Sequence, residues 1–170
     1  IVLYVVGHRN KNFDLIFRIF TIYGNYILAL IEVAYLVIYH RDEDRRDYNI
    51  AIIASLVGWC VSSRAIIAIK SITVRPRPYM MDERISVICD RPSDYSFPSG
   101  HANAATSLTT PIILTSRNMY VRILLILYVI LMCFSRIYCG VHYPTDVLWG
   151  AIIGYVVSKS ILSLITGIAR

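Results

Sequence analysis

The chain has 170 residues, 56% hydrophobic and only 16% charged, with a formal charge of +6 and a mean hydropathy of +0.57. Soluble domains carry about 25% charged residues, so this composition argues against a soluble fold, a disordered chain and a disulfide-dense scaffold. The length gives room for about five membrane crossings at roughly 20 residues each. The basic excess points to anionic headgroups or a phosphate-bearing ligand, and least to nucleic acid, given so apolar a chain.

Residues 1–6 are apolar, but no basic region precedes them and no cleavage site follows, so no cleavable signal peptide is expected there. Residues 13–23 mix apolar side chains with Asp14 and Arg18. They fit an interfacial helix or the first half of a span broken near Gly24. Continuous apolar runs then cover 24–39, 48–70, 100–116, 119–138 and 146–168, the pattern expected of membrane helices. Polar breaks at 40–49 and 116–118 and a long loop at 71–99 separate them. That loop holds Pro76, Pro78, Pro92 and Pro98, four of the 6 prolines, which oppose a continuous helix. Pro111 predicts a kink in the third run, with Thr109 and Thr110 placed to help satisfy the freed carbonyl. The fold predicted is all-α: an integral membrane helical bundle of about five spans, six if the N-terminal segment crosses, forming a single domain over residues 1–170. With five spans, the ends near residues 24, 70, 100, 138 and 146 fall on one membrane face.

Three polar segments lie at that face: Lys70 to Arg77-Pro78, then Pro98-Ser99-Gly100-His101, then Ser135-Arg136 to His142 and Asp146. A phosphoryl group in transfer spreads negative charge over its oxygens, so its catalysis is chiefly positioning and charge stabilisation. Lys70, Arg77 and Arg136 offer permanent cations. Ser99 and Gly100 open the third run, where unpaired backbone N–H groups favour an anion. His142 and Asp146 are four residues apart and meet if a helix begins near His142. The carboxylate can then fix one imidazole nitrogen and leave the other free as a nucleophile. His101 is placed to donate a proton to a leaving oxygen. Each residue has a plainer reading: Lys70 and Arg136 as span anchors, Arg77 as a solvated loop residue, Ser99 as a helix cap, His142 and Asp146 as cap and N-terminal carboxylate.

In order and spacing the three segments match KxxxxxxRP, PSGH and SRxxxxxHxxxD. Over about residues 64–150 the chain therefore resembles the type 2 phosphatidic acid phosphatase superfamily, and in size its small microbial members. The resemblance implies a membrane lipid phosphatase. His142 forms a phosphohistidine, Asp146 orients it, and His101 serves as general acid and then activates water. Lys70, Arg77, Ser99, Gly100 and Arg136 hold the phosphate, and neither metal nor cofactor is required. The implied substrates are lipid phosphates or pyrophosphates in the bilayer: undecaprenyl pyrophosphate, lipid A 1-phosphate, phosphatidylglycerophosphate or phosphatidate. The resemblance also implies a catalytic face looking toward periplasm or exterior, which the Lys and Arg distribution does not select. The rivals are a vanadate-dependent haloperoxidase-like enzyme, disfavoured by the apolar composition, and a lipid-binding or transport protein with a vestigial pocket. No oligomeric state follows from the sequence.

Four further expectations remain. Glu32 and Arg64 are charges inside apolar runs and are expected to pair, unless Arg64 reaches the phosphate pocket. Gly150 and Gly154 predict close helix packing inside the bundle. Cys89 and Cys139 share the catalytic face as free thiols or a disulfide. Tyr79, Met80 and Met81 either dip toward headgroups or pack the loop.

Overall fold

The computed structural model describes residues 1–39 and 45–168, so residues 40–44 of the polar break at 40–49 lie outside the described residues. Seven helices and no strands are found among those residues: α1 (Val2–Gly7), α2 (Lys11–Tyr39), α3 (Arg46–Thr73), α4 (Pro78–Met81), α5 (Gly100–Thr115), α6 (Met119–Tyr138) and α7 (Pro144–Ile168). Stretches based on α2, α3, α6 and α7 are long and apolar enough to cross a membrane. Their outer faces carry exposed side chains such as Leu30, Ile67, Leu124 and Leu148, as expected where lipid replaces water.

The fifth long helix differs in kind. At 16 residues, α5 extends about 24 Å, short for an unaided crossing. Its residues from Ala102 to Pro111 are all buried, and it packs most heavily against α7 and α3, with α6 and α2 beyond. A helix shielded from lipid need not be apolar all round. Asn103 donates to Ser62 Oγ at 3.0 Å, and the Ser62 and Ser107 hydroxyls pair at 2.9 Å. Small residues let the backbones meet. A Cβ added to Gly58 of α3 would lie 2.7 Å from Ser158 Cβ of α7, and one added to Gly154 of α7 would lie 2.5 Å from the Asn103 carbonyl of α5. The Gly150 and Gly154 face is thus internal packing, as its spacing predicts.

The N-terminal half of α2 settles one open alternative. The helix runs unbroken through Gly24, so residues 13–23 continue the span that follows them. Gly24 serves close approach instead: an added Cβ would sit 2.9 Å from Met132 Cε on α6. Thr21, Asn25, Ala29 and Glu32 are buried at the spacing of one helical face.

This continuity corrects the expected Glu32–Arg64 pair. Among the described residues no ion pair joins them; Glu32 Oε2 accepts from Ser55 Oγ at 2.5 Å. Ser55 precedes Arg64 by nine positions on α3, about 13 Å along a helix. Counting depth from Gly24 placed Glu32 too shallow, because α2 begins at Lys11. At Pro111 the helix continues to Thr115. The Thr109 hydroxyl donates to the Ala105 carbonyl at 2.8 Å, not to the Ser107 carbonyl that proline leaves without its usual donor.

Candidate functional site

The C-terminal ends of α3 and α6 and the N-terminal ends of α5 and α7 meet at one end of the bundle, roofed by the loop from 74 to 99. Its centre is His142, in the turn joining α6 to α7. Gly140 makes that turn with φ 76, a left-handed conformation that glycine adopts without Cβ strain. Asp146 follows in the first turn of α7. His142 is 2% exposed. Its Nδ1 lies 3.5 Å from Asp146 Oδ2, and its Nε2 lies 3.2 Å from Arg77 NH1. Burial pushes the His142 imidazole down to about 3; the neighbouring Asp146 carboxylate opposes this, and the charges of Arg136, Arg77 and Lys70 reinforce it. The ring is therefore neutral at pH 7, and its Nε2 lone pair accepts from Arg77 NH1.

Three cations surround this ring. Arg77, 2% exposed, caps α4 in an extended conformation that suits a residue before proline. It donates from NH1 to the Val141 carbonyl at 2.8 Å and from Nε to the Asp94 carbonyl at 2.8 Å. Lys70, on the last turn of α3, donates to the Tyr95 carbonyl. The Asp94 carboxylate joins these two cations: Oδ1 lies 2.5 Å from Arg77 NH2 and Oδ2 lies 2.8 Å from Lys70 Nζ. Burial opposes ionisation of Asp94, but the hydrogen bonds and charges of Lys70 and Arg77 outweigh it and hold the carboxyl below its usual range. Two oxygens of one anion thus bridge the two cations. Arg136 is 3% exposed and donates to Thr21 Oγ1. Its Nε has no partner, and no carboxylate pairs with it among the described residues, which leaves a buried cation with donor capacity to spare.

Ser99 caps α5. Its Oγ accepts from the Ala102 N–H at 3.5 Å, and its own N–H donates to the Asp146 carbonyl at 2.9 Å, tying α5 to α7. The next amides, of Gly100 and His101, belong to the first turn and lack intrahelical acceptors. A Cβ added to Gly100 would meet nothing within 4 Å. Gly100 and His101 line a cavity of ≈ 270 Å³ with Asp94, Asn25, Tyr26 and Trp59. Asn25 of α2 holds the His101 carbonyl at 3.1 Å and is itself bonded by Tyr128 OH at 2.7 Å.

All eight residues read from the sequence therefore lie at this end. Lys70, Arg77, His142 and Asp146 form one contact chain, and Ser99 joins it through the Asp146 backbone. No hydrogen bond or ion pair ties His101 or Arg136 to His142 among the described residues.

Four participants escaped the sequence reading. Asp94 bridges Lys70 and Arg77. Thr21 holds Arg136. Arg75 and Ser96 both reach Asp146, at 2.6 and 2.5 Å. Asp94 and Ser96 lie in an aperiodic loop, which offers no face to read; Thr21 sits in the run 13–23, which fits an interfacial helix or the first half of a span equally well. Arg75 had one signal, its place between Lys70 and Arg77. Nearby, Cys89 and Cys139 are free thiols. Tyr79 packs the loop through a 3.0 Å bond to the Pro92 carbonyl, whereas Met80 and Met81 are exposed.

Comparison with known proteins extends this picture. The profile of the PAP2 superfamily matches residues 47–168. An undecaprenyl-diphosphatase of Sulfolobus acidocaldarius is 35% identical over 85 residues, covering 50% of this chain and 41% of that relative. A decaprenylphosphoryl-5-phosphoribose phosphatase of Mycobacterium tuberculosis is 32% identical over 142 residues, 84% of this chain and 75% of that one. The crystal structure of Aquifex aeolicus LpxE superposes with a TM-score of 0.74 at 28% identity, covering 95% of this chain and 92% of the other.

Proposed function

The chain belongs to the PAP2 superfamily, and we propose on that premise that it is a single-domain membrane lipid phosphatase cleaving a polyprenyl phosphate or diphosphate at His142. The observation that carries the reading is the buried neutral imidazole with a carboxylate at Nδ1 and a guanidinium at Nε2. The prenyl choice rests on the names of the two relatives, an undecaprenyl-diphosphatase and a decaprenylphosphoryl-5-phosphoribose phosphatase.

The reaction runs as follows. The substrate phosphate displaces the Asp94 carboxylate from Lys70 and Arg77, and takes a further donor from Arg136 and the first amides of α5. Nε2 of His142, released from Arg77 NH1, forms a bond to phosphorus as the bond to the leaving oxygen breaks; His101, which takes up a proton as the substrate's negative charge offsets the nearby cations, passes it to that oxygen. Asp146 holds Nδ1–H and stabilises the positive ring. Water, activated by His101, then attacks the phosphohistidine and releases phosphate. The long Nδ1 distance is common before substrate binds and tightens in the complex. The charge stabilisation comes from side-chain cations, so activity persists in EDTA. Lipid tails reach the cavity beside His101 from between helices, with the catalytic face toward periplasm or exterior.

The test is phosphate release from a panel of prenyl diphosphates, phosphatidate, phosphatidylglycerophosphate and lipid A. Prenyl substrates are expected to be cleaved fastest and His142→Ala to be inactive. Activity surviving in both His142→Ala and His101→Ala overturns the reading.

A further inference from the structure

Asp146 is 0% exposed, and a buried carboxylate is costly unless charge and hydrogen bonds compensate it. His142 alone does not supply them, since its Nδ1 is 3.5 Å away. The compensation comes from elsewhere. Arg75 NH1 lies 2.6 Å from Oδ1. Ser96 Oγ donates to Oδ2 at 2.5 Å, and the Tyr143 N–H donates to the same oxygen at 2.9 Å.

Arg75 is itself fixed. NH1 also donates to Thr145 Oγ1 at 2.8 Å, and the guanidinium lies over the Tyr143 ring at 4.1 Å. Ser96 is fixed to Arg75 in turn, because its N–H donates to the Arg75 carbonyl at 2.9 Å. Two loop segments, around 75 and around 96, are thus joined to each other and close on one carboxylate, Arg75 at Oδ1 and Ser96 at Oδ2, the oxygen that also faces His142.

We propose that Arg75 and Ser96 are positioning residues of the reaction, acting on His142 through Asp146. Arg75 takes Oδ1, so the carboxylate cannot rotate about its own bond without losing an ion pair. Ser96 and Tyr143 fix Oδ2 at the angle from which it accepts Nδ1–H. The guanidinium adds an ion pair at the oxygen that His142 does not face. Without these donors the carboxylate has other rotamers, and the imidazole loses the partner that selects its tautomer. Ser96 lies outside the three sequence motifs and Arg75 at an unspecified position of the first; no hydrogen bond or ion pair joins Arg75 to His142 among the described residues. The inference rests on the reading of His142 as nucleophile and Asp146 as its orienting carboxylate.

The test uses the full chain in detergent, with a C15 prenyl diphosphate carrying ³²P on its terminal phosphate. Arg75→Ala should lower kcat and the rate of enzyme phosphorylation about 10- to 100-fold, the loss expected from a misplaced reacting group, with KM changed less than about twofold. Arg75→Lys keeps a charge without the planar fork and should recover part of the rate; it carries the test should Arg75→Ala fail to fold. Ser96→Ala should lower kcat in the same way. Millimolar guanidinium should restore Arg75→Ala but not Asp146→Asn. Unchanged kcat in Arg75→Ala, or a raised KM with kcat intact, overturns the inference, the latter by making Arg75 a substrate contact. A loss of rate with a lowered melting temperature and no rescue by guanidinium or lysine also overturns it, in favour of a purely structural ion pair. Hydrolysis by the wild type with no label on His142 overturns the parent reading and this inference together. Label on wild-type His142 with normal kcat in Arg75→Ala overturns this inference alone.

Discussion

Gly154→Ala tests how tightly packing in the bundle is coupled to the site. The added Cβ would stand 2.5 Å from the Asn103 carbonyl oxygen and 2.9 Å from Ser107 Oγ, where ordinary contact begins at 3.4 Å. The Ser107 hydroxyl can rotate away, but the carbonyl is backbone in mid-helix. Relief therefore needs α5 to move from α7 by the difference between 3.4 and 2.5, or 0.9 Å. Such overpacking costs about 1–3 kcal/mol, equivalent to a melting point lower by about 2–12 °C in a chain of this size. The same movement separates Ser99, Gly100 and His101 on α5 from Asp146 on α7. A misplacement of this order costs about 100-fold in rate. Thermal unfolding followed by Trp59 and Trp149 fluorescence in detergent, beside prenyl diphosphate hydrolysis, measures both effects. Gly167→Ala is the control, since its added Cβ meets nothing within 4 Å and alanine favours helix. Gly154→Ala with the melting point and rate of the wild type would refute the coupling.

Two other perturbations address the charges at the site. Asp94→Asn removes the carboxylate that bridges Lys70 and Arg77; on the proposed reaction, inhibition by inorganic phosphate or vanadate should strengthen about tenfold, a partly exposed ion pair being screened by solvent; unchanged inhibition counts against the competition. His142 has a folded-state affinity for protons far below its ordinary value, about 3 against 6.5, so the unfolded chain binds the extra proton. Stability is then fully present above pH 6.5 and is lost as pH falls toward 3, by about 1.4 kcal/mol per unit well below 6.5. Melting curves from pH 8 to 4 should show this fall, and His142→Gln should flatten it.

The parts of the site legible in the sequence are those whose geometry is local. His142 and Asp146 are one helical turn apart, Ser99 to His101 open a helix, and Lys70 with Arg77 bracket a helix end and a proline. Their convergence followed from span parity, which needs only the order of apolar runs. The residues missed depend on how the loop from 74 to 99 folds back: Asp94 and Ser96 acquire their roles only once that loop covers Lys70 and Asp146. The Glu32 partner was misjudged for a related reason. Depth in a bundle depends on where each helix starts, and Gly24 looked like a start when it is a contact with Met132. The centrality of α5 was visible only in part, because its Asn103, Ser107 and Thr109 lower its hydropathy while packing places them out of reach of lipid.

The central claim is that phosphorus passes through His142. Rapid quenching of the wild type with ³²P-labelled prenyl diphosphate, followed by mass spectrometry of the labelled peptide, should find an acid-labile, base-stable phosphate on His142, formed within one turnover and absent in His142→Ala. Steady hydrolysis without a labelled enzyme, or label on any other residue, would contradict it.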